Sequence, residues 1–197
     1  MKRYGWILVL LILAAGCPKP QKKTTAPPMN KTELEEYAVY SALIKKMYLT
    51  GRVKLLVIED HTGVGLLSKD DEQGNKYLRE NLPGLQEETF ADFKAKNAEA
   101  YPLKPTFNLG VKMVLVSGPE IKEIFKEKNG WDNFYAKYPG SQGLMTLSRV
   151  GFNREMTQAL VYIGNQSHWL AGAGYCVVLA KKDGAWTVEK QVMVWIS

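Results

Sequence analysis

Apolar and polar positions change rhythm several times along this 197-residue chain. A continuous apolar run, YGWILVLLIL (4–13), gives way to PKPQKKTTAPPMNK (18–31), which has almost no apolar side chain. From Thr32 the rhythm is helical, with Tyr37, Tyr40, Ile44 and Met47/Tyr48 recurring every three to four residues. TELE reads as a capping box of Thr32 with Glu35, and Gly51 as the stop. RVKLLVIED (52–60) is rich in β-branched residues and predicts a strand. The polar, glycine-punctuated stretch from His61 to Gly84 predicts a loop with a short helical turn around Lys76–Asn81. QEETFADFKAKN (86–97) predicts a second helix with Phe90 and Phe93 on one face, and VKMVLVS (111–117) another strand. Pro119 suits the first turn of a helix reaching about Lys126. A last short helix in GWDNFYAKYPG is stopped by Pro139 and Gly140, and Trp131, Phe134, Tyr135 and Tyr138 form its core-facing side.

From Leu144 the signal changes to short strand-like runs separated by turn residues. LMTLSRVGF, TQALVYIGN, GYCVVLAKK and AWTVEKQVMVWIS predict four strands, and Asp183-Gly184 between the last two favours a two-residue type I′ hairpin. NQSHWLAGAGY (165–175) predicts a longer, glycine-rich connection. The expected class is α+β: N-terminal helices packed on a mainly antiparallel sheet that ends in a four-strand C-terminal meander, with strands 52–60 and 111–117 joining it. Consecutive hairpins argue against a doubly wound nucleotide-binding fold.

The N-terminus bears on compartment. Lys2 and Arg3 precede the apolar run, and Ala14, Ala15 and Gly16 follow it, the layout of a secretory signal peptide. The run is shorter than the roughly 20 residues a bilayer span needs. LAAGC (13–17) resembles the lipobox of bacterial lipoproteins, with Ala14 where that family most often has Leu. The resemblance implies alkylation of Cys17 by diacylglycerol and cleavage just before it. Residues 18–31 cannot bury enough surface to offset their ordering entropy, so they read as an extended tether, with a reach of roughly 40 Å at about 3.1 Å per residue. The expected organisation is a signal peptide over 1–16, a lipidated Cys17 with a linker over 17–31, and one α+β domain over 32–197. The implied setting is the bacterial cell envelope, extracytoplasmic. Pro18 rather than Asp after the cysteine points to the outer membrane in the enteric sorting pattern. With Cys17 lipidated, Cys176 in YCVVLA has no intramolecular partner and reads as a small core hydrophobe.

The C-terminal half carries a second resemblance. YPGSQGLMTLSRVGFN, QALVYIGNQ, GAGY and KKDGAWTVEK…WIS are similar to an uncharacterised group of bacterial secreted proteins and lipoproteins, over roughly residues 131–197, with weaker echoes in VIEDHT and ETFADF. Members of that group carry a cysteine-containing CGGLCG-like loop where this chain reads SHWLAG. Any thiol chemistry of that loop is therefore missing here. The group supports one extracytoplasmic domain and implies no reaction.

Composition narrows the function classes. An apolar fraction of 46% with 23% charged residues supports a packed core. The net charge of +6 is spread along the chain among acids, as in Lys122, Glu123, Lys126, Glu127 and Lys128, so no nucleic-acid stripe forms. Only the Lys19–Lys23 segment is one-signed, which favours an anionic membrane surface. Neither HTGVGLLS nor AGAGYC completes a dinucleotide or phosphate loop, DDEQGN lacks a calcium hand's closing Glu, and no metal or cofactor is expected.

Three places carry candidate chemistry. EDHT (59–62) ends a strand; alternation puts Glu59 with His61 and Asp60 with Thr62, and a carboxylate beside His61 could orient it as a base. His168 and Trp169 sit in the glycine-rich connection, where a Trp beside a His could wall a sugar, peptide or aromatic ligand. Arg149 interrupts an apolar strand, so it either pairs with Glu59, Asp60 or Asp92 or faces an anionic ligand. The expected function is a lipid-anchored, non-enzymatic binding or interaction module, its partners the membrane through Cys17 and an unidentified protein or small ligand. A cell-envelope hydrolase using His61 or His168 with a carboxylate, and an inhibitor or chaperone of an envelope enzyme, are the alternatives.

Overall fold

The computed structural model describes residues 29–49, 51, 53–63 and 71–197. The signal-peptide run, Cys17 and residues 18–28 of the linker lie outside the described residues, as do 64–70 of the expected 61–84 loop. The chain order is α1 (Lys31–Tyr48), β1 (Leu55–Glu59), α2 (Glu72–Asn81), α3 (Glu87–Lys96), β2 (Lys112–Val116), α4 (Gly118–Ile124) and α5 (Gly130–Lys137). It continues β3 (Ser141–Leu147), β4 (Gly151–Phe152), β5 (Gln158–His168), β6 (Ala171–Lys182) and β7 (Ala185–Ile196). Among the described residues no helix is long and apolar enough to cross a membrane.

α1 begins two residues before the expected capping box. Asn30 is the N-cap: its side chain accepts from Glu33 N at 2.9 Å, and Asn30 N donates to Glu33 Oε2 at 3.1 Å. Asn caps as well as Thr, and the shift leaves Glu35 for other partners. The helix ends at Tyr48, short of Gly51. α2 is longer than the turn expected at 76–81, because Asp71 caps it through Gly74 N at 2.8 Å.

The strands form one sheet in the order β2-β1-β3-β5-β6-β7, with β4 paired to β5. β1 runs parallel to β2 and to β3, and the remaining pairings are antiparallel. The α+β class with N-terminal helices and adjacent C-terminal strands holds, and both earlier strands join the sheet. The stretch 144–152 is not one strand. It breaks at Ser148–Val150, where side chains take over the ladder: Asn97 bonds both Arg149 N and Arg149 O, and Tyr162 N donates to Ser148 Oγ.

Alternation along the strands separates two cores. On one face α1 lays Tyr40, Leu43 and Ile44 over Leu56, Met145 and Val161. On the other, α2 and α3 cover Leu160, Tyr162 and Cys176, while α4 and α5 bring Ile124, Trp131 and Phe134 onto Leu55, Val57 and Val116. The two ends of β6 define two ends of the molecule, roughly 35 Å apart at about 3.3 Å per residue. At the base, β6 turns into β7 through Asp183-Gly184, and α1 begins there, since Glu35 accepts from Lys181 Nζ at 2.6 Å and from Trp186 Nε1 at 2.8 Å. At the tip, β5 turns into β6.

Candidate functional site

The tip departs from the expected loop. β5 stays paired as far as His168, β6 starts at Ala171, and only Trp169 and Leu170 remain as the turn. Gly172 reads as part of that loop, yet it lies within β6, and with Gly164 and Gly174 it sits beneath the Trp195 ring, which a Cβ at any of them would meet. Their absent side chains let Trp195 lie across the sheet and reach Tyr162, its indole N–H donating to the phenol oxygen at 2.8 Å.

Beside the turn lies a groove of about 460 Å³, lined by Ile121 and Phe125 of the α4 region, Trp131 of α5, Leu144, Gln166 and Trp169. Three rings form its corner, all edge to face: Phe125–Trp131 at 77°, Phe125–Trp169 at 79° and Trp131–Trp169 at 80°. His168 stacks on Trp131, with ring centroids 6.4 Å apart and 24° between planes. Tyr135 OH donates to Ser167 O at 2.7 Å and ties the hairpin to α5. His168 and Trp169 each lie against Trp131, and Phe125 packs on both Trp131 and Trp169. His168 has no carboxylate partner among the described residues. Trp169 is 49% exposed and Leu170 84%. Trp131 is buried, and its indole N–H has no hydrogen-bond partner among the described residues.

The EDHT segment is built differently. The strand ends at Glu59, so alternation stops there, and the expected grouping of Glu59 with His61 does not form. Glu59 accepts from Thr146 Oγ1 at 2.7 Å, and burial pushes its carboxyl above the ordinary range. His61 turns to its neighbour, with Nδ1 2.7 Å from Asp60 Oδ1 and the ring more than half exposed. Thr62 is buried and pairs with the backbone of Tyr101.

Arg149 pairs with none of the three expected acids. Its Nη2 and Nε donate to one oxygen of Glu36 at 2.9 and 3.1 Å, and its guanidinium lies 4.0 Å over the Tyr101 ring. Asp92 instead accepts from Phe152 N and pairs with Lys96. Burial raises the Glu36 carboxyl, opposed by Arg149 and Lys96. The signal existed in the sequence, because Glu33, Glu36, Tyr37, Tyr40 and Ile44 share one helical stripe.

His61 and His168 do not meet. Through the register Ile58–Met145–Asn165 they sit about six strand positions apart, roughly 20 Å. Among the described residues no group of three or more His, Cys, Asp or Glu could hold a metal. Cys176 is fully buried, and burial pushes its thiol up to about 12, far from a nucleophile's range. Comparison with protein-family models, with curated proteins and with solved structures gives no match for this chain.

Proposed function

We propose that this protein is a lipid-anchored, non-enzymatic binding module of the bacterial cell envelope that docks a partner through the tip of its β5–β6 hairpin and the aromatic groove beside it. The observation that carries the reading is the pair Trp169 and Leu170. Two large apolar side chains stand exposed at a tight turn, where turn-forming residues would serve the fold better, and Trp169 lines a groove whose Trp131 N–H is buried with no partner among the described residues. Aromatic residues at such positions supply contact area at low entropic cost.

The tether supports the same arrangement. α1 starts at the base, 14 residues beyond Cys17, so a lipid there attaches the chain at the end away from the tip and leaves the tip free to meet a partner. A partner at the tip includes the case of an envelope enzyme that the module inhibits or chaperones. Site-specific photo-crosslinking in intact cells tests the docking element. A crosslinker at position 170 is expected to trap one discrete partner, one at position 183 none, and Trp169→Ala should abolish the adduct. Equal labelling from both ends would sink the reading. The mass of the mature N-terminus tests the anchor, and an unmodified Cys17 thiol removes it.

One observation favours the hydrolase alternative, the 2.7 Å contact of His61 with Asp60, which orients an exposed imidazole. If purified protein turns over cell-wall or peptide substrates and loses that activity in His61→Ala or His168→Ala, the binding-module reading fails. Activity that survives the double substitution removes the hydrolase in this form.

A further inference from the structure

α1 does not close against β7 along its whole length. A groove of about 800 Å³ separates them, walled on the far side by Thr106 and Asn108. Its size falls within the roughly 300–1,000 Å³ that small-molecule sites occupy. Leu34, Ala38 and Ala42 follow one face of the helix at i, i+4 spacing, opposite Trp186 and Val188. Alanines at 38 and 42 leave the space open. From Leu34 to Lys46 the groove follows the helix for roughly 18 Å at about 1.5 Å per residue.

The two ends of the groove differ in character. At one, Leu34 is 53% exposed, an apolar residue facing water beside the exposed Ala38. At the other stand Lys45 and Lys46, exposed and with no ion-pair or hydrogen-bond partner among the described residues. Among the described residues no carboxylate lines the groove. Two polar groups in its wall are already used: Ser41 Oγ donates to Tyr37 O and accepts from Asn108 N, and Tyr37 OH accepts from Lys104 N. What is left to match is an apolar channel with a positive end.

We propose that this groove binds a single-chain amphiphile with an anionic head, the chemistry shared by a fatty acid and a lysophospholipid. The chain lies along Ala38 and Ala42 against Trp186, and the head meets Lys45 and Lys46. Burying methylenes supplies the affinity, and the lysine pair supplies the preference for an anionic head. The chain's own segment 18–28 is a poor occupant, because Lys19, Lys22 and Lys23 carry the same sign as the groove's charged end. The site does not depend on the docking role of the hairpin tip, which lies at the other end of β6.

Calorimetric titration of the full chain tests it, with myristate as the probe below its micellar concentration. Tetradecanol, which lacks the charge, and acetate, which lacks the chain, are the comparators. Myristate is expected to bind saturably at one per chain, tetradecanol more weakly, acetate not at all. Lys45→Glu with Lys46→Glu should weaken myristate by roughly 30-fold or more and leave tetradecanol unchanged. Ala38→Phe with Ala42→Phe fills the channel and should remove binding of both. Leu34→Glu, at an exposed position, does the same at the apolar mouth should the filled variant fail to fold. The proposal is overturned by no saturable myristate binding, by equal affinity for tetradecanol, or by binding that survives both the filled groove and Leu34→Glu. Binding that appears only after Cys17→Ser also overturns it, since the groove would then hold the chain's own lipid. An unmodified Cys17 in the wild-type protein removes the anchor and leaves this titration standing.

Discussion

The base and the tip of the sheet treat polar groups in opposite ways. At the base, three carboxylates of α1's first turns each find partners: Glu33 accepts from Tyr101 OH at 2.7 Å and Lys104 at 3.0 Å, Glu35 from Lys181 and Trp186, and Glu36 from Arg149. The base hairpin uses Asp183 at φ 50° and Gly184 at φ 81°, the left-handed pair that a type I′ turn requires. Toward the tip, Trp131 Nε1, Ser141 Oγ and Asn165 Oδ1 are buried with no hydrogen-bond partner among the described residues, a condition shared by Asn75 Oδ1 on α2 and Thr89 Oγ1 on α3. The tip turn is Trp-Leu, neither residue with positive φ, and both stand exposed. Local choices at the base agree with the fold, while those at the tip work against it. Disagreement of that kind concentrates where a surface is kept for something other than stability.

The sharpest way to break this contrast is to orphan a charge at the base. Arg149→Ala leaves Glu36 buried beside Lys96, whose Nζ is 4.0 Å away, and is expected to cost about 3–5 kcal/mol in denaturant unfolding. Replacing both partners, Arg149→Met with Glu36→Gln, should recover most of that loss. A cost below about 1 kcal/mol for Arg149→Ala would mean that the base is no better anchored than the tip.

Acid separates two of the base carboxylates by sign. Hydrogen bonds from Tyr101 and Lys104 hold Glu33 down at about 2, against an ordinary 4.5. Its contribution is therefore present above pH 4.5 and is lost as pH falls from there toward 2. Burial raises Glu36, which has the opposite sign, so protonation on acidification relieves it. Glu33→Gln should flatten the acid limb of the stability profile by about 2 kcal/mol, discounted for the water that reaches the Lys104 side. An unchanged acid limb would show that the Glu33 cluster does not stabilise the base.

The same contrast explains how much the sequence discloses. The strands from Leu144 onward are legible from their β-branched and apolar runs, continuous in β5 where helices cover both faces of the sheet, and from the turn residues between them. The helices are legible from their stripes. The break at Ser148–Val150 is not, because its hydrogen bonds go to Asn97 and Tyr162, far away in sequence, and no local pattern encodes them. Gly172 misleads for a related reason: glycine signals a loop by composition, yet here, with Gly164 and Gly174, it clears space for Trp195 across the sheet. His168 and Trp169 are legible as a pair, whereas Phe125, which completes the aromatic corner, lies more than 40 residues away and is joined to them only by the fold. Arg149 is recognisable as a residue that needs a partner. Its partner Glu36 is visible only when a carboxylate inside α1's apolar stripe is read as buried.

At the base hairpin, Gly184→Ala should cost about 1 kcal/mol, because an L-residue is strained at φ 81°.

The tip hairpin invites the converse exchange. Replacing Trp169-Leu170 by Asn-Gly installs at the tip the turn chemistry that the base already has. His168 and Ala171 are already paired across a two-residue turn, so the new sequence fits the existing connection length. The exchange lets the turn change to type I′, with positive φ at both positions where neither has it now, but loses the packing of Trp169 on Phe125 and Trp131, so the net change in stability is expected within about 1 kcal/mol of zero. Binding is expected to respond far more strongly, with crosslinking from position 167 or 171 lost despite an unchanged melting curve. A fold indifferent to the exchange, with a docking function that depends on it, is what a functional tip requires. If unfolding costs rise above about 3 kcal/mol instead, Trp169 is a structural cover for the α4–α5 aromatic cluster, and the contrast between the two ends reduces to two ways of closing a hairpin.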